Sequence, residues 1–367
     1  MKLGRAISWL MGGLQRSLFP RLEECWQAPL TDKEKQLVAI LGIIEVERHV
    51  LYSSANQRMG RKLKERESIA RSFVVKAVYG YPFTRTLIEA LRTTPNLRRI
   101  CGFGKVSRIP SESTFSRAFA EFAESKLGDR VHEVLVERSL KPELVGHISR
   151  DSTAIEGREK PAKKLKKEKV SRKRGRPAKG EEREPKEEKR LERQRSQSAE
   201  EALKELPVFC DVGCKKNSKG RKETWIGYKL HADINDCGLP VSIALTTASL
   251  HDSQVAIPLM KLTSSRVDYL YDLMDAAYDA KDIHEVSKSL GHVPIIDRNS
   301  RGKEAIPMAP HEAVRYNERT AAERFNSRIK EEFGAENIMV RGAQKVKMHL
   351  MFGVLALFAD HLIKLAT

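Results

Sequence analysis

The chain has 367 residues, 40% of them hydrophobic and 32% charged. That balance excludes a wholly disordered chain and an integral membrane protein, and the length suits two or three domains. The formal charge of +18 points to a polyanionic partner, and nucleic acid is the usual one, because its phosphates release condensed counterions to Lys and Arg.

Residues 1–140 read as an all-α N-terminal domain expected to bind DNA. The apolar run at 6–14 is followed by no small-residue cleavage pattern before Arg16, so a cytoplasmic location is expected. The five scattered cysteines, Cys25, Cys101, Cys210, Cys214 and Cys237, then read as reduced thiols. Apolar residues recur at three and four spacing over 30–50, 68–78, 83–92 and 114–127, which predicts helices. In the last of these Phe115, Phe119 and Phe122 form one ridge, preceded by Pro110, Ser111 and Ser113 as turn and capping residues. A helix ending near Arg99, a Gly-containing turn and this capped helix fit either a helix-turn-helix or an ordinary packing unit.

Residues 141–156 supply the first strand of a second domain, centred on 145–155. Composition then shifts. Between Lys160 and Arg195 stand 17 Lys or Arg against 7 Asp or Glu, with almost no apolar content. Such a stretch buries too little surface to offset ordering, so 157–205 is expected to be a basic, flexible or partly helical insertion. Its Arg174-Gly175-Arg176-Pro177 core resembles an AT-hook, which lays arginine in a narrow minor groove.

Residues 206–345 complete the second domain. The β-formers of 225–234 and 239–246 flank Asn235-Asp236-Cys237-Gly238 and predict a hairpin. A helix at 255–262, a strand at 267–274, a helix at 280–290, a strand at 293–297 and a long helix at 315–333 follow. The sum is an α/β fold, one mixed sheet flanked by helices. In the C-terminal segment 346–367, the ten apolar residues 350–359 fall short of the ~20 needed to span a bilayer, so a buried helix is expected.

Tyr316, Arg319, Glu323 and Lys330 stand at offsets 0, 3, 7 and 14. On one continuous helix they fall within about 60° of each other, while Phe325, Ile329 and Phe333 form an apolar ridge on the far side. Such a stripe suits gripping phosphate around a metal-bound carboxylate; it also suits a solvated face with an Arg319–Glu323 pair. Asp151, in the strand 145–155, and Asp275, just past the strand 267–274, change the weighing. Three carboxylates converging at one sheet edge would hold two Mg²⁺ or Mn²⁺ ions about 4 Å apart, one on each side of a phosphodiester. Asp272 and Asp279 flank Asp275 as alternatives, with Asp279 also suited to capping the next helix. His251-Asp252 either stands near the metals or caps the helix that follows.

These residues resemble the DDE transposases of bacterial insertion sequences, in the group whose signature is Tyr, two residues, Arg, three residues, Glu, six residues, Lys. Tyr316, Arg319, Glu323 and Lys330 match every spacing, Asp151-Ser152-Thr153 resembles the first-aspartate segment, and Asp275-Ala276-Ala277-Tyr278-Asp279 the second. Residues 110–119 resemble the N-terminal region of the same group. The resemblance implies an RNase H-like catalytic domain with Asp151, Asp275 and Glu323 as catalytic, metal-binding acids. It implies Tyr316, Arg319 and Lys330 on the DNA backbone; the AT-hook-like core adds Arg174 and Arg176 as further expected DNA contacts. It further implies element ends and target DNA as partners, a homodimer in the DNA complex, no membrane, and a nucleoid-associated bacterial protein. Ala277 departs from the pattern, which places glycine there, and the basic insertion follows the first aspartate rather than the second. A DNA-binding protein without catalysis and an RNase H-like nuclease without joining are the competing readings.

Overall fold

The computed structural model describes residues 29–51, 65–141, 143–163, 188–216, 220–299 and 307–366. The apolar run at 6–14, Cys25 and the Arg174 and Arg176 positions lie outside the described residues.

The described chain opens with α1 (Asp32–Ile44), α2 (Arg66–Val78), α3 (Thr84–Thr93), α4 (Pro95–Ile100), α5 (Glu112–Glu124) and α6 (Leu127–Leu140). A capping box starts α1: Glu34 N–H donates to the Thr31 hydroxyl and Thr31 N–H to the Glu34 carboxylate. That fixes the phase which buries Leu37, Ile40, Ile43 and Ile44. The helix stops at Glu45, whose φ of +48° is left-handed, short of the residue 50 that periodicity suggests. The ridge of α5 is core. Phe115, Phe119 and Phe122 surround Phe73 of α2 at ring-centre distances of 5.9, 4.8 and 6.4 Å. Residues 101–111 separate α4 from α5, far more than the three or four of a helix-turn-helix, so the pair is a packing unit.

A six-stranded mixed sheet follows, with β1 (Val145–Glu156), β2 (Asp211–Lys216), β3 (Lys222–Asn235), β4 (Pro240–Thr247), β5 (Tyr269–Met274) and β6 (Val293–Ile296). Its order is β2-β3-β1-β5-β6, with β4 on β3. The hairpin β3–β4 is antiparallel, β1 is antiparallel to β3, and β5 and β6 run parallel to β1. Four strands in antiparallel pairs, β1 to β4, followed by two parallel ones give an RNase H-like sheet, with β1 at its centre. The described end of the basic insertion is helical. α7 (Arg190–Ser196) and α8 (Ala199–Lys204) lie on α9 (Ser253–Ser264), where Lys261 Nζ donates to the Gln194 and Arg195 carbonyls at 2.8 and 2.9 Å.

With α10 (Lys281–Ser289), α9 covers one sheet face; Ile257, Met260, Ile283 and Val286 form a core there with Met274 and Ile296. The opposite face carries the segment expected as one helix over 315–333. It is instead α11 (Pro310–Tyr316), a 3-10 turn (Asn317–Arg319) and α12 (Thr320–Glu331). Phe325, Ile329 and Phe333 are buried as the ridge predicts, each stabilising the packing by ~1.5–3 kcal/mol. They pack toward α13 (Ala343–Ala366), a longer helix than the apolar run 350–359 indicates. Gly353 allows this approach, because a Cβ there would meet the Phe333 carbonyl at 2.7 Å. Length and composition would let α13 cross a membrane, yet 78% of its apolar window is buried inside the fold. It packs on α1, α2, α5 and α6, so one apolar core joins the N-terminal helices to the sheet.

Candidate active site

The site is set by register. Ser149 of β1 pairs with Leu273 of β5 in a parallel ladder. Two residues further along, Asp151 comes level with Asp275, which stays extended at φ −78° and ψ 176°. Neighbouring strands lie ~4.8 Å apart, and residues level in a parallel pair share a face. Two carboxylates that are far apart in sequence thus stand side by side at one sheet edge. Asp275 Oδ1 accepts from Ala277 N–H at 2.9 Å, which caps the 3-10 turn Ala276–Tyr278. The glycine of the family pattern is unnecessary here, because no positive φ occurs at Ala277.

The electrostatics of this edge are anionic. Burial pushes the Asp151 carboxyl up to about 6, Asp275 and Asp252 add repulsion, and Arg319 opposes the rise. Asp275 is likewise raised, by burial and by Asp252 and Asp297. Asp252 sits at the head of α9 but makes no side-chain cap there; its carboxylate takes a hydrogen bond from Lys229 Nζ at 2.9 Å. Against the upward push of burial, His231, Lys229 and the Ser152 hydroxyl hold Asp252 below the usual carboxylate range. His231, buried beside it, is pulled down to about 4 by burial and bonds Thr246 Oγ1 at 2.8 Å.

From the helical side, Ser149 Oγ donates to the Glu318 carbonyl at 3.2 Å, fastening the 3-10 turn over β1. Arg319 then leans into the field of both Asp151 and Asp275 while donating to Glu323 Oε1 at 2.5 Å. Tyr316 lies under that guanidinium, 5.6 Å from ring centre to Cζ. Tyr316, Arg319, Asp151 and Asp275 are therefore gathered together, with Glu323 attached through Arg319 and its side chain 54% exposed. Among the described residues no three His, Cys, Asp or Glu side chains are gathered closely enough to hold a metal ion. Lys330, two turns along α12, lies apart with Lys215, Glu156 and Glu336, lining a cavity of about 310 Å³ beside Trp225.

The alternatives to Asp275 are engaged elsewhere. Asp272 is wholly buried on the other sheet face, bonded by Arg150, Tyr269 and Ser287. Asp279 is not the helix cap; it pairs with His284 at 3.2 Å and accepts from Asn299 N–H at 3.1 Å. Two neighbours escaped the sequence reading. Asn326 Nδ2 donates to Asp151 Oδ2 at 3.0 Å, and Lys229 anchors Asp252. Asn326 was within reach of helical arithmetic, lying three residues after Glu323 and so on the same face. Lys229 gave no signal, since nothing local ties a strand lysine to a loop aspartate.

The family model described as Transposase DDE domain matches residues 147–359, more than half of the chain, and spans Asp151, Asp275 and Glu323. A second, described as Transposase domain (DUF772), matches residues 25–121, covering α1 to α4 and most of α5. No curated protein and no solved structure matches the chain. With Asp151 on the central strand, Asp275 just past its parallel neighbour and a DDE-domain match over residues 147–359, the chain belongs to the DDE-domain transposases.

Proposed function

We propose that this transposase binds the ends of an insertion sequence and catalyses metal-dependent strand cleavage and strand transfer, with Asp151, Asp275 and Glu323 as the metal-holding acids. The observation that carries this reading is that Asp275, just past the parallel neighbour of the central strand, raises the proton affinity of Asp151 on that strand, with Arg319 in the field of both. Their oxygen donors suit a hard divalent cation, and their mutual repulsion is what such a cation relieves. Two ions, Mg²⁺ or Mn²⁺, would activate the attacking water or 3′ hydroxyl and stabilise the leaving oxygen.

The chain's own residues do the rest. Asn326 and the fastened 3-10 turn hold Asp151 and the α12 start in one relative position. Arg319 acts as resident counter-cation; once it turns to a DNA phosphate, its bond to Glu323 opens and that carboxylate is released toward the aspartates. Tyr316 shelves the guanidinium, and Lys330, farther along the helix, meets the backbone as a point charge. Arg174 and Arg176 add minor-groove contacts, and a dimer forms on the two element ends.

Incubating the protein with Mg²⁺ and duplex carrying the DNA that flanks its coding region tests this. Cleavage and joined products are expected, and Glu323→Gln should remove both while leaving binding in EDTA intact. Intact DNA under every condition would leave a binding protein. Cleavage whose 3′ ends never join target DNA would leave a nuclease.

A further inference from the structure

A second cationic site lies away from the acid edge. A cavity of about 490 Å³ opens where α2, α5 and the start of α13 meet the loop after β1. Its floor is apolar, formed in part by Phe73, Phe119 and Phe352. Lys76 enters from α2, only 7% exposed, and its ammonium makes no hydrogen bond or ion pair with any described residue. Burial alone pulls it down to about 8, and no carboxylate opposes the shift. A charged group buried without a partner costs stability unless something else supplies the counter-charge.

The surroundings repeat the same sign. Arg158, Arg341 and Lys345 line the mouth and make no ion pair with any described residue, while Glu112, the acid in the wall, is already paired with Arg85 at 3.6 Å. Lys345 lies in the first turn of the 24-residue α13, whose free N–H groups add positive potential. We propose that this cavity binds a phosphate group, supplied by the DNA backbone, with Lys76 as its deep ligand. Geometry favours that source. β1 runs roughly 16 Å from Asp151 to Glu156, and Arg158 follows two residues later. Lys330 and Lys215 stand beside Glu156 on the way. A strand leaving the acid edge would pass these cations before reaching the cavity.

The test is anisotropy of labelled duplex against full-length protein in EDTA, so that it stands or falls apart from catalysis. Lys76→Met keeps the side chain's length and removes its charge. It should weaken binding about tenfold and lower the salt slope by about one, with thermal stability unchanged or raised. Should Lys76→Met fail to fold, the surface pair Arg158→Gln with Lys345→Gln replaces it, and a loss of at least the same size is expected. A second arm measures thermal protection by inorganic phosphate. Protection of the wild type that Lys76→Met loses, with duplex binding unaltered, supports the same phosphate chemistry with a free anion as its source. Variants that match wild type in both arms overturn the proposal.

Discussion

The central strand carries two charge clusters, and they are built to opposite plans. On one face Arg150 is fully buried, donating to Asp233 at 2.6 Å and to Asp272 at 3.3 Å. Thr263 bonds Asp233, while Ser287 and Tyr269 bond Asp272, so each aspartate also has hydroxyl partners within the fold. One residue on, Asp151 faces the other way. There Asp151 and Asp275 share a half-buried edge with Asp252, Arg319 and Lys229 in electrostatic reach, and Asp151 remains raised. Each cluster holds one more acid than cation, but the first is sealed in the interior and ties β3, β1 and β5 together, whereas the second lies at a half-buried edge where a further cation can enter. The difference also links them, because the register that sets Asp151 beside Asp275 is the register the buried arginine clamps.

The largest expected effect breaks the clamp. Arg150→Met leaves two buried aspartates without their cation, and urea unfolding should show a loss of roughly 3–5 kcal/mol. A loss under 1 kcal/mol would mean that the clamp does not set the strand register. The second effect has the opposite sign. With Asp151 raised to about 6 from its ordinary value near 3.8, the folded state binds the extra proton between those limits. Metal-free stability from this group is therefore full below about pH 4 and lost as pH rises through 6. Asp151→Asn should flatten that window and stabilise the metal-free protein at pH 7 by up to about 3 kcal/mol. Mg²⁺ should stabilise the wild type at pH 7 and lose its effect in the variant. A pH profile identical in both proteins would remove Asp151 from the anionic cluster.

Much of this was legible in the chain, for local reasons. Periodicity placed five of the six strands and most helices within a few residues, missing β2 and α6, and the Phe325, Ile329, Phe333 ridge is buried as written. The break at Asn317–Arg319 was not visible, since no Pro or Gly marks it; Asn317 and Thr320 are merely weak helix formers, and Thr320 Oγ1 bonds back to the Asn317 carbonyl. The length of α13 was hidden because Lys345, Lys347 and His349 interrupt the apolar run on its first turns. Nothing in 145–156 announces that its parallel partner is 269–274, so the spacing rule named Asp151 and Asp275 but not their alignment. A fully buried Arg150 runs against the residue's usual placement and only the pairing explains it.

The smallest effect sharpens the contrast at a single bond. Asn326 donates to Asp151 from the helix that bears Glu323, and its own Oδ1 is buried without a partner. Its amide therefore serves Asp151 more than it serves the fold. Asn326→Leu removes a hydrogen bond to a carboxylate together with an unsatisfied oxygen, so its stability should shift by no more than about 1 kcal/mol. The Asp151 carboxyl should rise further, because the amide favours its charged form. Cleavage should slow by about tenfold, the order of change seen when a metal ligand loses its orienting partner, with DNA binding in EDTA retained. Asn326→Asp gives the sharper reading: a further carboxylate beside Asp151 should steepen the pH dependence and lower the Mg²⁺ needed for stabilisation if the edge is already anionic. Wild-type behaviour in both variants would make Asn326 an ordinary helix residue that happens to touch the strand.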